Sequence, residues 1–269
     1  MKTINFISGL PRSGSTLLGA LLAQNSSFHG SMSSPVANLF CSMQVQMSPQ
    51  NSFHVFFDEN KRRNLLRGIF ESYYADTQAD FIFDTNRIWC AKLAALADIF
   101  PEAKVICCVR PPIWIIDSFE RILQKNPLIA SRMFAFKANT NVFNRLEIMM
   151  GPDGVIGGPY GALQEAFYGN LADRLVLVSY ESLAHRPKET MAALYDFLGI
   201  APFSHDFDNV EFRQDDFDEH LGVAGLHTVR PVVSYKEREC ILPPEVIRMH
   251  ENREFWRDPA RNPRNVLVI

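Results

Sequence analysis

The sequence predicts an α/β fold, a parallel β-sheet flanked by helices on both faces, and three observations predict it. Short apolar runs recur along the chain, "INFIS", "FIFD", "KVICCVR" and "RLVLVSY". Stretches of helical periodicity separate them, as strands covered by helices on both sides require. The first run leads through "SGLPRSGSTLL", Ser8 to Leu18, into "GALLAQN", joining strand to helix by a glycine-containing turn.

Each element follows from its own residues. "INFIS" is a strand and Thr16 to about Gln24 a helix. Residues 25–60, rich in Ser, Met, Asn and Phe, read as long loops with some helix. "KRRNLLRGIFESYY" sets Leu65, Leu66, Ile69 and Tyr73 at helical spacing. "FIFD" is a strand ending in an acid, with helix from about Trp89 to Phe100. "KVICCVR" is a buried strand, and "IWIIDSFERIL", after Pro111 and Pro112, is an amphipathic helix. Residues 151–159 are turn-rich, with helix beyond. "RLVLVSY" is a strand, and "PKETMAALYDFLG" a helix with Pro near its start and Gly at its end. The tail from Asp206 is irregular and Pro-rich and is expected to wrap the rest.

The 269 residues suffice for one large core, so a single domain over 1–269 is expected. A net charge of -3 argues against a nucleic-acid partner. The five cysteines are odd in number and lack paired metal-ligand spacing; Cys107 and Cys108, inside a strand, read as buried free thiols of a reducing compartment. "MKTINFISGL" is too short for a signal peptide and no stretch is long enough to span a membrane, so the expected location is cytoplasmic.

Ligands of such folds sit at the carboxyl ends of the strands. Those ends carry the Pro11–Thr16 turn, Asp84-Thr85-Asn86-Arg87, Arg110, and Tyr180-Glu181. A glycine turn opening a helix holds a phosphate-like anion. Gly9, Gly14 and Thr16 fit the ATP-binding pattern G-x-x-x-x-G-K-S/T, but Ser15 stands where the lysine belongs, and Arg12 is the turn's cation. A kinase reading gains from "FIFD", where Asp84 would hold magnesium. The other reading is sulfuryl transfer from 3'-phosphoadenosine 5'-phosphosulfate (PAPS), whose two anionic ends need two sites. Arg110 and Ser118, eight residues later, offer a guanidinium and a hydroxyl for the second phosphate. A non-catalytic nucleotide- or peptide-binding module would also explain the fold, though not Arg12 together with the Arg110/Ser118 pair.

"GLPRSGSTLL" resembles the 5'-phosphosulfate loop of sulfotransferases, above all the protein-tyrosine type, whose loop reads Pro-Arg-Ser-Gly-Thr-Thr. "VRPPIWIIDS" is similar to that family's 3'-phosphate element. "VSYESL" resembles its strand-Tyr-Glu-x-Leu, and "GLHTVRPVV" the loop that closes over the donor in bacterial members. Together these run from Ser8 to about Val233, and the whole is most similar to small bacterial tyrosine-protein sulfotransferases. The resemblance implies a P-loop-type parallel sheet, PAPS as donor, adenosine 3',5'-bisphosphate as product, no metal, and a hydroxyl acceptor, foremost a tyrosine of a peptide or protein. A small-molecule or sugar hydroxyl is the alternative. It further implies that Pro11, Arg12, Ser13, Gly14, Ser15 and Thr16 hold the 5' end, Arg110 and Ser118 the 3'-phosphate, Tyr180 the adenine, and Arg230 the donor from the closing loop. Arg12 would stabilise charge on the leaving oxygen.

The general base is less determined. The family's glutamate after the first helix has no counterpart in "HGSMSSPV", His29 to Val36. Other branches place a histidine just after the strand matching "FIF", so Asp84 is the first candidate, with a structural acid as the competing reading. His227 in the closing loop is the second. Residues 25–60 and 125–160 are expected to shape the acceptor pocket, and Lys61-Arg62-Arg63 to meet acids flanking a target tyrosine or simply to be solvated.

Overall fold

The computed structural model describes residues 2–125, 128, 141–212, 218–219 and 226–269. The strands are β1 (Thr3–Gly9), β2 (Phe28–Gly30), β3 (Phe81–Thr85), β4 (Val105–Val109), β5 (Leu175–Ser179) and β6 (Leu267–Val268). They form one sheet in the order β2-β3-β1-β4-β5-β6. Each neighbouring pair is parallel, and on the central strand Phe6 stands opposite Asp84 on one side and Val105 on the other.

Successive side chains of a strand point to opposite faces. Phe6, Ile82, Cys107 and Leu177 therefore meet one core with Phe40, Phe70 and Trp89, while Ile7, Phe83, Cys108 and Val178 meet another with Leu18, Leu194 and Tyr195. Burial on both faces is why the strands read as unbroken apolar runs. The helices in chain order are α1 (Ser15–Leu22), α2 (Val36–Gln46), α3 (Glu59–Tyr73), α4 (Leu93–Ile99), α5 (Pro112–Lys125), α6 (Val142–Met150), α7 (Gly157–Tyr168), α8 (Tyr180–His185), α9 (Pro187–Leu198) and α10 (Pro244–His250). α1, α8 and α9 pack on the second core; α2 to α7 and α10 pack on the first. Among the described residues no helix is long and apolar enough to cross a membrane.

Local chemistry fixes the helix ends. Asp58 accepts the Lys61 amide at 2.8 Å and opens α3, and Pro187 opens α9, which stops at left-handed Gly199. The structure departs from expectation at three places. Residues 25–60 contain a short edge strand, β2, and a full helix, α2. The helix expected from Trp89 begins as a tighter 3-10 turn over Arg87–Lys92, because Asn86 accepts the Ile88 amide and Ser8 Oγ accepts the Cys90 amide. The tail does not merely wrap: it forms α10 and then returns as β6, where the Ile269 amide donates to Leu177 and its carbonyl accepts from Ser179.

Candidate functional site

The loop after β1 is shaped by two left-handed glycines. At Gly9 (φ 104) a Cβ would lie 2.3 Å from the Cys108 carbonyl oxygen, so only glycine lets the chain turn out against β4. At Gly14 (φ 91), the residue that opens α1, a Cβ would stand 3.1 Å from the Tyr180 ring. Arg12 is left-handed too, φ 56, at a strain of about 1–2 kcal/mol for a residue with a Cβ. The first turn of α1 has neither a side-chain cap nor an acid. Its amides present the positive end of a helix to the loop. Pro11 is buried, the Ser13 hydroxyl turns inward to the Pro11 carbonyl at 3.2 Å, and Ser15 and Thr16 are half-buried. Ser13 therefore has its backbone, rather than its hydroxyl, to offer an anion.

Arg110, Ser118 and Tyr180 come to this loop from three elements. Arg110, 9% exposed at the end of β4, donates through Nη1 to the Arg12 carbonyl at 3.3 Å. Its guanidinium lies 4.3 Å from the centre of the Tyr180 ring, a cation–π contact. Its buried Nε–H has no hydrogen-bond partner among the described residues. Ser118, on α5, accepts from Arg12 Nε at 3.1 Å. Burial, then the facing Arg110 charge, bring the Arg12 pKa down to about 10; burial also lowers that of Arg110. Two buried guanidinium groups near one loop, that of Arg110 with an N–H unpartnered among the described residues, can receive an anion with more than one acceptor oxygen. The uncapped α1 amides and Arg12 could hold one anionic group, Arg110 and Ser118 a second, and the Tyr180 ring an aromatic base.

The segment 226–227 closes on Arg12. Its Nη1 donates to the Leu226 carbonyl, and the neighbouring His227 engages the buried Asp218. Asp218 Oδ1 pairs with His227 Nδ1 at 2.5 Å and Oδ2 accepts the His227 amide at 2.8 Å. Burial lowers the His227 pKa, Asp218 opposes that shift, and Arg12 and Arg87 reinforce it.

Asp84 is placed otherwise than a base requires. It is 0% exposed, and three donors hold its carboxylate: Trp89 Nε1 at 2.8 Å, Ser34 Oγ at 2.7 Å and Tyr74 OH at 2.6 Å. Its pKa is raised by burial. A fully buried carboxylate enclosed by these three groups offers no open edge to an acceptor hydroxyl, and among the described residues it neither pairs with Arg87 nor caps the following turn, which Asn86 does. Arg230 is exposed, on a segment whose Pro231 carbonyl accepts from Val210, and the described residues give it no contact with the loop. Lys61 pairs with Asp58, Arg63 with Asp98, and Arg62 donates to the Met47 carbonyl. The expected acceptor-pocket residues 129–140 lie outside the described residues.

Two features escaped the sequence. Asp218 sits in the acidic run "DDFDEH", where nothing marks one acid as buried. Asp117, fully buried beside Ser118, binds Arg238 at 2.6 Å, Arg121 at 3.0 Å and the Ile241 amide at 3.0 Å, tying residues 238–241 to the helix that carries Ser118. An acid among Ile115, Ile116 and Phe119 was a readable sign of such a tie.

The sulfotransferase domain from the curacin biosynthetic pathway has a similar fold, with a TM-score of 0.53 at 21% identity and 76% of each chain covered. A sulfotransferase from Alicyclobacillus acidocaldarius gives 0.49 at 14% identity over 82% of this chain and 90% of the other. The sulfotransferase domain from the Synechococcus PCC 7002 olefin synthase gives 0.47 at 18%, with 76% of each chain covered. A search of curated protein sequences finds no match. The profile of the sulfotransferase family matches residues 5–205, from β1 past the end of α9 and through every element that bears the Arg12, Arg110, Ser118 and Tyr180 cluster. The chain belongs to the sulfotransferase family.

Proposed function

We propose that this sulfotransferase takes PAPS as donor and delivers its sulfuryl group to a hydroxyl acceptor, a tyrosine of a peptide or protein. The observation that carries the donor reading is Arg110: a buried guanidinium on the Tyr180 ring, with one N–H unpartnered among the described residues, bonded to the carbonyl of Arg12, whose own guanidinium reaches Ser118. Such a group suits a phosphate apart from the one at the α1 amides, and a kinase's ATP, with all its phosphates at the 5' end, has no 3'-phosphate to put there. Asp84 enclosed by Ser34, Tyr74 and Trp89 also removes the residue that would have held magnesium in a kinase. The tyrosine reading rests on the likeness of "PRSGST" to the protein-tyrosine type.

The residues then divide the work. The loop amides and Ser15 and Thr16 hold the 5' end, Arg110 and Ser118 hold the 3'-phosphate, and Tyr180 supplies an aromatic face for adenine. His227 receives the acceptor's proton. As that O–H bond breaks, its electron pair forms the bond to sulfur, and the bond from sulfur to the phosphate oxygen breaks toward Arg12. Arg12 meets the charge left on that oxygen, an interaction that strengthens as the bond opens.

Calorimetry tests the donor: adenosine 3',5'-bisphosphate should bind without magnesium and ATP weakly. Magnesium-dependent ATP binding with no affinity for the bisphosphate sinks the reading. A screen with radiolabelled donor over tyrosine peptides, phenols and sugars tests the acceptor, and a sugar as the best substrate would remove the tyrosine assignment.

A further inference from the structure

Cys90 and Cys107 come from separate elements and meet beside the start of the loop after β1. Their sulfurs lie 3.2 Å apart, and both are free thiols. Cys90 stands in the 3-10 turn after β3, 3% exposed, and Cys107 in β4, fully buried. The end of β1 runs beside them: Ser8 stands opposite Cys107, and its hydroxyl oxygen accepts the Cys90 amide at 3.2 Å. Cys108, the next residue of β4, points to the other core, away from the pair. The two thiols are not alike. The hydrogen bond from Cys107, then those from the Ser8 hydroxyl and the Gly9 amide, lower the Cys90 pKa against the opposing effect of burial, while burial raises that of Cys107. Cys90 therefore has the character of an attacking sulfur and Cys107 that of a resolving one. Gly9 opens the loop in a left-handed conformation, with the Cys108 carbonyl packed against it.

We propose that Cys90 and Cys107 form an oxidation site: a small hydroperoxide converts them to a disulfide, and the change reaches the loop after β1 through Gly9. With hydrogen peroxide, the Cys90 sulfur attacks one oxygen, the O–O bond breaks, and the leaving hydroxide becomes water with the proton that the Cys90 thiol gives up. Cys90 is then a sulfenic acid. The Cys107 sulfur attacks the Cys90 sulfur, the S–O bond breaks, and the hydroxyl leaves with the Cys107 proton as a second water. Two thiols lose two electrons, and one peroxide is reduced to two waters. Burial admits an oxidant of this size during local opening of the turn and keeps out a bulky one such as oxidised glutathione. In the disulfide the Cys90 sulfur can hold no negative charge and is a poorer acceptor for the Gly9 amide. The loop is thereby loosened at its first residue. None of this depends on which donor or acceptor the protein uses.

The test uses the full chain, reduced and then treated with a slight molar excess of hydrogen peroxide. Its intact mass should fall by two hydrogens, and digestion without reductant should yield peptides joined through Cys90 and Cys107. Dithiothreitol should reverse both changes. Cys90→Ala and Cys107→Ala should each abolish the crosslink, and Cys108→Ala should keep it. Amide hydrogen exchange across residues 8–16 should quicken about tenfold or more in the oxidised chain, and affinity for adenosine 3',5'-bisphosphate should fall with it. A chain whose half-buried Cys41 and Cys240 are oxidised while Cys90 and Cys107 stay thiols overturns the proposal, with no variant needed. So does a glutathione adduct on Cys90, which would mean an open thiol in place of a sheltered pair. So does a crosslink that leaves exchange in the loop unchanged, since the pair would then be a packing contact with no hold on Gly9. Faster loop exchange on oxidation, in a chain that binds no bisphosphate, upholds the oxidation site and sinks the donor reading instead.

Discussion

The Arg12 guanidinium donates through Nε to the Ser118 hydroxyl at 3.1 Å, joining two residues 106 positions apart. This bond links the loop after β1 to the helix after β4, the two elements assigned to opposite ends of the donor. A hydroxyl that accepts from Arg12 still has its own O–H to give to a phosphate oxygen. One serine can therefore serve the 3'-phosphate while steering the loop cation.

Arg110→Ala should weaken binding of adenosine 3',5'-bisphosphate by about 1.5–3 kcal/mol, and Ser118→Ala by about 0.5–1.5 kcal/mol. Calorimetry with adenosine 5'-monophosphate is the control, since it lacks the 3'-phosphate and should be much less affected. Equal losses for both nucleotides would assign the pair to the fold.

Arg12 carries two roles that substitution separates. Arg12→Ala and Arg12→Gly should each lower kcat by about 10²–10³-fold, because the lost contact is with charge that develops in the transition state. They should differ in stability. The left-handed φ of 56° suits glycine, so Arg12→Gly should unfold in urea about 1 kcal/mol later than Arg12→Ala. Equal stabilities would mean that the loop relaxes out of this conformation once the guanidinium is gone.

Asp84→Asn should fold, and should change turnover on ordinary and nitrated tyrosine peptides by the same small factor. Burial raises the Asp84 pKa. A raised acid pKa contributes stability below the unfolded value, near 3.9, that is lost as pH rises through the folded pKa. Asparagine has no such term. The stability of the wild type relative to the variant should accordingly fall as pH rises, which melts from acid to neutral pH would show. A selective loss on the un-ionised peptide would return Asp84 to the role of base.

Asp117→Ala should destabilise the chain by about 3–5 kcal/mol, since it strips the partner from the half-buried Arg121 and Arg238 and leaves the Ile241 amide unmet. Bisphosphate affinity should fall with it, as residues 238–241 lose their hold on α5. Thermal unfolding and calorimetry on the one preparation give both numbers.

Much of this arrangement was written locally. An apolar run needs only its own residues to declare a strand, and glycines at 9 and 14 around a turn declare a loop that must go left-handed. A parallel sheet then puts Arg12, Arg110 and Tyr180 at one edge by topology alone, and the sequence by itself determined the cluster that the contacts close. What the tertiary structure decided depends on residues with no local signal. Asp84 closes the apolar run of its strand as an open acid would, and Ser34, 50 positions back, Tyr74, 10 back, and Trp89 together seal it. Asp218 looks like its acidic neighbours until its burial against His227 sets it apart. β6 is two residues long, too short for a periodicity, and exists because β5 offers an unpaired edge. Side-chain type and spacing fix what a residue can do; its exposure and its partners, set by segments far along the chain, fix which of those things it does.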